Sequence, residues 1–262
     1  MTQYLEQYRA DARQAAPSRP LSVSIGRKLR PWVNRAIANS SLVPNSPVLD
    51  ANLFRWTGTL CAQWQAIRAE AERVIRHENA IPPLNEISPD HARIAADGKW
   101  RSFFLYGYGY RIDENCARAP MTAALVEQIP GLNSAFFSIL APGCHIPRHK
   151  GVTKGILTCH LGLRVPAKAA RCRMRVEDRI VHWREGECLV FDDSQQHEVW
   201  NDTDETRVVL LLQFARPLRF PGNAIARLFL EGVRRTAFVQ EARHNLGDWE
   251  TAYRKAEAET EG

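Results

Sequence analysis

Long apolar runs are missing from this chain. The longest, such as Val208 to Leu212, fall far short of the roughly 20 residues a spanning helix needs. Nor does the start look like a leader, since Met1 to Ala16 alternates charges with single apolar residues. Six cysteines (Cys61, Cys116, Cys144, Cys159, Cys172, Cys188) include no Cys-x-x-Cys pair. Most lie in apolar, strand-like runs and are read as small core residues in a reducing compartment. No nucleic-acid fingerprint accompanies the net charge of +6, so no nucleic-acid partner is inferred. No internal repeat or low-complexity tract is present. These absences together point to an intracellular, cytoplasmic protein.

The 262 residues, 45% of them apolar, suit one domain with a helical annex. Residues 1–95 read as helices joined by polar loops. Trp56 to His77 is the clearest helix, with Leu60, Trp64, Ile67, Ala71 and Val74 at helical spacing. Ile81 to Asp97 is a long, proline-bearing connection. Trp100 to Tyr110, rich in aromatics, reads as a buried strand, and Cys116 to Ile129 as a helix. From Ser134 short strands follow one another: 135–140, 155–165, 171–176, 179–183, 188–191, 198–200 and 206–214. That spacing predicts a barrel or a double-sheet jelly roll over residues 96–220. Residues 221–262 hold a closing helix, Asn223 to Val239, and a charged tail.

Two histidines stand out. His149 closes Pro142-Gly143-Cys144-His145-Ile146-Pro147-Arg148-His149, and His197 lies in Phe191-Asp192-Asp193-Ser194-Gln195-Gln196-His197-Glu198-Val199-Trp200. A common non-haem iron oxygenase holds Fe(II) with two histidines and a carboxylate, leaving positions open for cosubstrate and oxygen. Here Gly151 stands where the carboxylate, two residues after the first histidine, is expected. Taken alone, the two histidines are equally readable as unrelated core-edge residues. Arg207 on the next strand could grip a carboxylate in bidentate fashion, and His160 and Ser138 on neighbouring strands could hydrogen-bond the same anion. That combination suits a 2-oxoglutarate pocket. Asp192 and Asp193 either reach the metal or orient neighbouring groups, and the second reading is favoured. Trp183 and Trp200 are read as core or pocket walls, and His77, His91, His182 and His244 as surface or structural residues.

The segment Cys159-His160-Leu161-Gly162-Leu163-Arg164-Val165-Pro166 and the segment Phe191 to Trp200 resemble the aspartyl/asparaginyl β-hydroxylase family. So do the Pro142-Gly143 turn and the Gly186-Glu187 hairpin. The resemblance covers residues 99–217 and implies a double-stranded β-helix with Fe(II), 2-oxoglutarate and O2 as reaction partners. It puts the metal ligands at His149 and His197, and the cosubstrate pocket at Ser138, His160 and Arg207. The best-known members bind iron with two histidines alone, so Gly151 matches the family. Thr158 departs from it: the animal enzymes carry a second pocket arginine there, and Lys154 is the candidate replacement.

The resulting expectation is a mainly β protein with α, a jelly-roll dioxygenase core between an N-terminal helical region and a C-terminal helix. It would hydroxylate an unactivated carbon, in first place the β-carbon of an aspartyl or asparaginyl residue or a related amino acid. The alternative is a lipid acyl chain, as in relatives acting on lipid A or ornithine lipids. The basic segment Arg27, Lys28, Arg30 and Arg35, beside Trp32, suits phospholipid headgroups and hence peripheral membrane contact, although a solvated face is the plainer reading. A non-catalytic, cupin-like binding protein is the rival from another class.

Overall fold

The computed structural model describes residues 21–87, 93–95 and 97–261; His91 lies outside the described residues, as do the side chains of Arg27 and Lys28. The order is α1 (Leu21–Asn39), β1 (Val48–Leu49), α2 (Arg55–Ala62), α3 (Trp64–Ile75), α4 (Leu84–Ile87), β2 (Trp100–Gly107), β3 (Tyr110–Arg111), α5 (Asp113–Arg118) and α6 (Pro120–Glu127). Then come β4 (Leu132–Leu140), β5 (Cys144–His149), β6 (Ile156–Arg164), β7 (Cys172–Val176), β8 (Arg179–Val181), β9 (Cys188–Phe191), β10 (His197–Asn201) and β11 (Arg207–Ala215). Two helices follow, α7 (Gly222–Arg234) and α8 (Ala237–Glu261).

The strands form two antiparallel sheets, a seven-stranded one in the order β1-β9-β6-β11-β4-β2-β3 and a four-stranded one in the order β5-β10-β7-β8. One apolar cluster joins Phe104, Phe136, Leu140, Val209 and Leu211 of the large sheet to Cys144, Ile146, Cys172, Met174 and Val199 of the small one. This is the jelly-roll core. The other face of the large sheet, with Phe137, Ile139, Leu161 and Leu210, packs on Leu60, Ile67, Ala71 and Val74 of α2 and α3. With both faces covered, β4 and β6 are buried almost continuously, whereas β7 and β10 of the small sheet alternate buried and half-buried residues.

Several elements differ from the sequence reading. The helix expected from Trp56 to His77 breaks at Gln63 (φ −105°, ψ 10°). The one expected from Cys116 to Ile129 is two helices, divided at Ala119, which Pro120 holds outside the α region. The closing helix is also two, and the charged tail is part of the second. Val239, Ala242, Leu246 and Tyr253 recur at helical spacing there and are buried, a stripe masked in the sequence by the surrounding charge. Strand β5, which contains Pro147, is not among the strands expected from the sequence. It is the edge of its sheet, where a missing N–H costs no ladder bond.

Candidate metal and anion site

Strand β10 carries His197 on its inward face with Val199 and Asn201. Its neighbour β5 pairs Asn201 with Cys144 and Val199 with Ile146, then His197 with His149. Two steps on β10 therefore oppose three on β5, a bulge of one residue. Strict alternation from Cys144 and Ile146 would put Arg148 opposite His197. The extra residue substitutes His149, and the two imidazole rings lie 4.1 Å apart, centroid to centroid.

Each ring is held the same way. His149 Nδ1 lies 2.8 Å from the Pro147 carbonyl and His197 Nδ1 lies 3.0 Å from the Gln195 carbonyl. A carbonyl only accepts, so Nδ1–H donates in both and Nε2 keeps its lone pair for a ligand. Burial pushes the His197 pKa down to about 4, with His149 adding to the shift, and burial also lowers that of His149. Both rings are neutral at pH 7, the form a metal needs. No third His, Cys, Asp or Glu joins them among the described residues. The arrangement fits a metal that takes few ligands from the protein.

Asp192 is consumed elsewhere. Its carboxylate accepts from Lys154 Nζ at 2.5 Å and Arg216 Nη2 at 2.6 Å, both in the interior, and from half-buried Ser194 Oγ at 2.6 Å. Lys154 is thereby committed to Asp192 and does not serve as the replacement cation. Thr158 instead donates to Asp193 Oδ2 at 3.2 Å. The Asp193 carboxylate fills the space beside Gly151: a Cβ built there would meet it at 2.6 to 2.8 Å. Burial, reinforced by Asp192, raises the pKa of Asp193 to about 7. Gly151 is thus demanded by packing, because any side chain would collide with Asp193.

Arg207, Ser138 and His160 share the inner face of the large sheet. Arg207 stands opposite Leu140 and Ser138 opposite Val209 one inward position further on, while Ser102 of β2 faces Ser138. His160 opposes Leu211. Trp183 ties two of these together: its indole N–H donates to His160 Nδ1 at 3.1 Å, and the Arg207 guanidinium lies 4.7 Å from its ring. That bond leaves the proton of neutral His160 on Nε2. Ser138 accepts from Trp100 Nε1 at 3.0 Å, which leaves its own hydroxyl proton available. The Phe191 ring meets His160 edge-on at 5.1 Å and His197 at 5.4 Å, so one side chain bridges this group and the histidine pair.

The partners that are missing here are informative. Arg207 Nε and Nη1, His160 Nε2 and Ser102 Oγ are buried without a hydrogen-bond partner. Desolvation lowers the Arg207 pKa to about 10, which still leaves it charged at neutral pH. A buried cation without a counter-ion costs about 3–5 kcal/mol. Donors without acceptors around such a cation have the chemistry to hold an anion. Ser102 was missed in the sequence, although its place between inward Trp100 and Phe104 was a signal: a hydroxyl on a core face. Gly162 answers a different need, since a Cβ there would lie 2.2 Å from the Arg184 carbonyl that brings the Trp183 loop onto the sheet.

Three further described histidines, His145, His182 and His77, lie apart from this site. His145 is exposed, bonded to Glu198 at 2.9 Å and stacked on Trp200 outside the small sheet. His182 contacts the Ala169 carbonyl at 3.0 Å, and His77 packs on Tyr253.

Residues 61–217 match the sequence profile of the aspartyl/asparaginyl beta-hydroxylase family. The chain belongs to this family. It is 39% identical over 228 residues to the ornithine lipid ester-linked acyl 2-hydroxylase of Rhizobium tropici, covering 87% of this chain and 81% of that one. To the human aspartyl/asparaginyl beta-hydroxylase it is 31% identical over 159 residues, 59% of this chain but 20% of the human one. Among solved structures, an oxidoreductase of the 2OG-Fe(II) oxygenase family from Burkholderia pseudomallei aligns over 45% of this chain and 66% of its own, with 11% identity and a TM-score of 0.37.

Proposed function

We propose that this member of the hydroxylase family is an Fe(II)- and 2-oxoglutarate-dependent dioxygenase that hydroxylates an acyl chain of a lipid. The carrying observation for the cosubstrate is Arg207, a buried guanidinium whose free N–H groups, with the N–H of His160 and the hydroxyl of Ser102, await an anion. Nε2 of His149 and of His197 would hold the iron. Bound iron and 2-oxoglutarate supply oxygen activation, with 2-oxoglutarate oxidised to succinate and carbon dioxide while a substrate C–H becomes C–OH.

The chain's own residues do the rest. Arg207 neutralises the distal carboxylate of the cosubstrate, and His160 Nε2–H and the Ser138 and Ser102 hydroxyls fix its orientation. The carbonyls of Pro147 and Gln195 keep both ligand imidazoles in the Nε2-acceptor tautomer. Phe191, Leu211 and Val209 keep water away from the reacting centre.

For the substrate, the relative aligned along most of both chains is named for acyl hydroxylation, and this supports the lipid reading. The human relative, named for aspartyl and asparaginyl residues, supports the second one, hydroxylation of an amino-acid β-carbon. That alignment is limited to a fifth of the human chain, and Thr158 with Asp193 stands where the animal enzymes carry an arginine. Comparing lipid extracts from cells with and without the protein tests the preferred reading. A 2-hydroxyacyl species that disappears with the protein is expected; an unchanged lipid profile would reject it. Binding without catalysis predicts no iron-dependent succinate from labelled 2-oxoglutarate.

A further inference from the structure

Helices α1 and α7 lie side by side over the loop that leaves His149. A Cβ at Gly155 would touch both Ala226 of α7, at 3.0 Å, and Ile37 of α1, at 3.6 Å, so both helices rest on one floor. From its midpoint on, α1 is anchored to the same loop, where the Arg30 guanidinium bonds the Gly151 carbonyl and Asn34 accepts from Lys154 N at 3.0 Å. On α7, Leu228 lies about 200° round the helix from Ala226; on α1, Trp32 and Arg35 lie about 140° and 160° from Ile37. These residues point away from the floor together, and Arg35 stacks on the Trp32 ring at 5.6 Å.

This face is strongly apolar for one that meets water. Trp32 is 70% exposed, Leu228 74% and Phe220, just before α7, 78%. Leu29 within α1, Leu42 just beyond it and Val152 on the loop three residues past His149 are also exposed. Among the described residues, the remaining exposed large hydrophobics are Leu53, Met121 and Ile180. The charge is one-sided as well. Segments 29–49, 141–156 and 216–230 contain no Asp or Glu, yet Arg35, Lys150, Arg219 and Arg227 are exposed there. None of these four takes part in an ion pair among the described residues. Apolar side chains interleaved with unpaired cations complement an anionic lipid surface, where the hydrophobes enter the interface and each cation adds attraction.

We propose that the outer face of α1 and α7, with the Val152 loop, docks this protein on an anionic bilayer and so brings the His149 side of the site to lipid. The proposal deepens the lipid-acyl reading and rests on it for its purpose, while the docking itself is measurable without turnover. The test is co-sedimentation of the full chain with phosphatidylglycerol–phosphatidylcholine vesicles and with pure phosphatidylcholine vesicles, at low and high salt. Expected is salt-sensitive binding to the anionic vesicles alone. It should be weakened about twentyfold or more in the double variant Arg35→Glu/Arg227→Glu and lost in Trp32→Asp/Leu228→Asp. These positions are exposed, and unchanged circular dichroism verifies the fold; Trp32→Ala supplies a milder second variant. Wild-type protein that stays in solution, binding indifferent to lipid charge, or variants that bind like wild type would overturn the proposal. An unchanged cellular lipid profile beside intact vesicle binding would reject the acyl reading and leave the docking face standing.

Discussion

His197 faces His149 because β5 holds one residue more than the strand it pairs with, so that the bulge between Ile146 and His149 shifts the second imidazole onto the inner face. With both Nδ1 atoms bound to carbonyls, the pair presents two lone pairs and no carboxylate. Replacing either histidine with alanine should abolish tight Fe(II) binding, measured by calorimetry under anaerobic conditions. Iron-dependent succinate release should fall at least a hundredfold. Retention of stoichiometric iron by either variant would refute the assignment.

Arg207 should be costly in the empty protein and indispensable in the loaded one. Arg207→Met removes a buried charge at similar size, so the protein without cosubstrate should melt at or above the wild-type temperature. Saturating 2-oxoglutarate at about 100 times Kd should stabilise the wild type by about 2.7 kcal/mol and the variant not at all. Paired melts with and without 2-oxoglutarate read both effects, and equal stabilisation of the two proteins would remove Arg207 from the pocket.

Gly151 gives a steric prediction. Gly151→Asp, which restores the carboxylate of the more common iron triad, should destabilise the protein by about 2–4 kcal/mol, because it meets the buried Asp193 carboxyl. Adding Asp193→Gly should recover much of that loss, so a double-mutant cycle from denaturant midpoints should show a large coupling. Additive effects would mean that the two positions are not in contact.

Protonation couples to stability with opposing signs. The pKa values of His149, His160 and His197 are lowered by burial, so between pH 6.5 and about 4 the unfolded chain binds protons the folded one refuses. Stability from these groups is present above their unfolded pKa and lost as pH falls. Asp193, raised to about 7, binds its proton more readily in the folded state and opposes that loss. Asp193→Asn should therefore steepen the loss of stability on acidification from pH 6.5 to 5, by up to about 1.4 kcal/mol per pH unit. Urea midpoints of metal-free protein at the two pH values measure it, and an unchanged slope would show that Asp193 does not carry the proton.

Much of the β-rich half was readable in advance because its strands are short, apolar and punctuated by turn residues. The helices were less so. Ala119 and Gln63 break helices inside continuous apolar stripes, and the stripe of α8 was hidden among charges. For the site, the chemistry-bearing residues were visible as residue types in strand ends, but their partners were not. Lys154 looked like a free cation for the cosubstrate until its ammonium was located against Asp192.

The order of residues by itself determined the alternation that buries one face of each strand, the histidines and arginine at strand ends, and the glycine where a carboxylate is common. These are local properties, set by side-chain type and a period of two. Only the tertiary structure decided that a bulge turns His149 inward, that Asp193 takes the space beside Gly151, and that Arg207 and His160 are left with donors and no acceptors. Those outcomes depend on which strands become neighbours and on which buried polar atoms then find partners. No single segment of the chain contains that information.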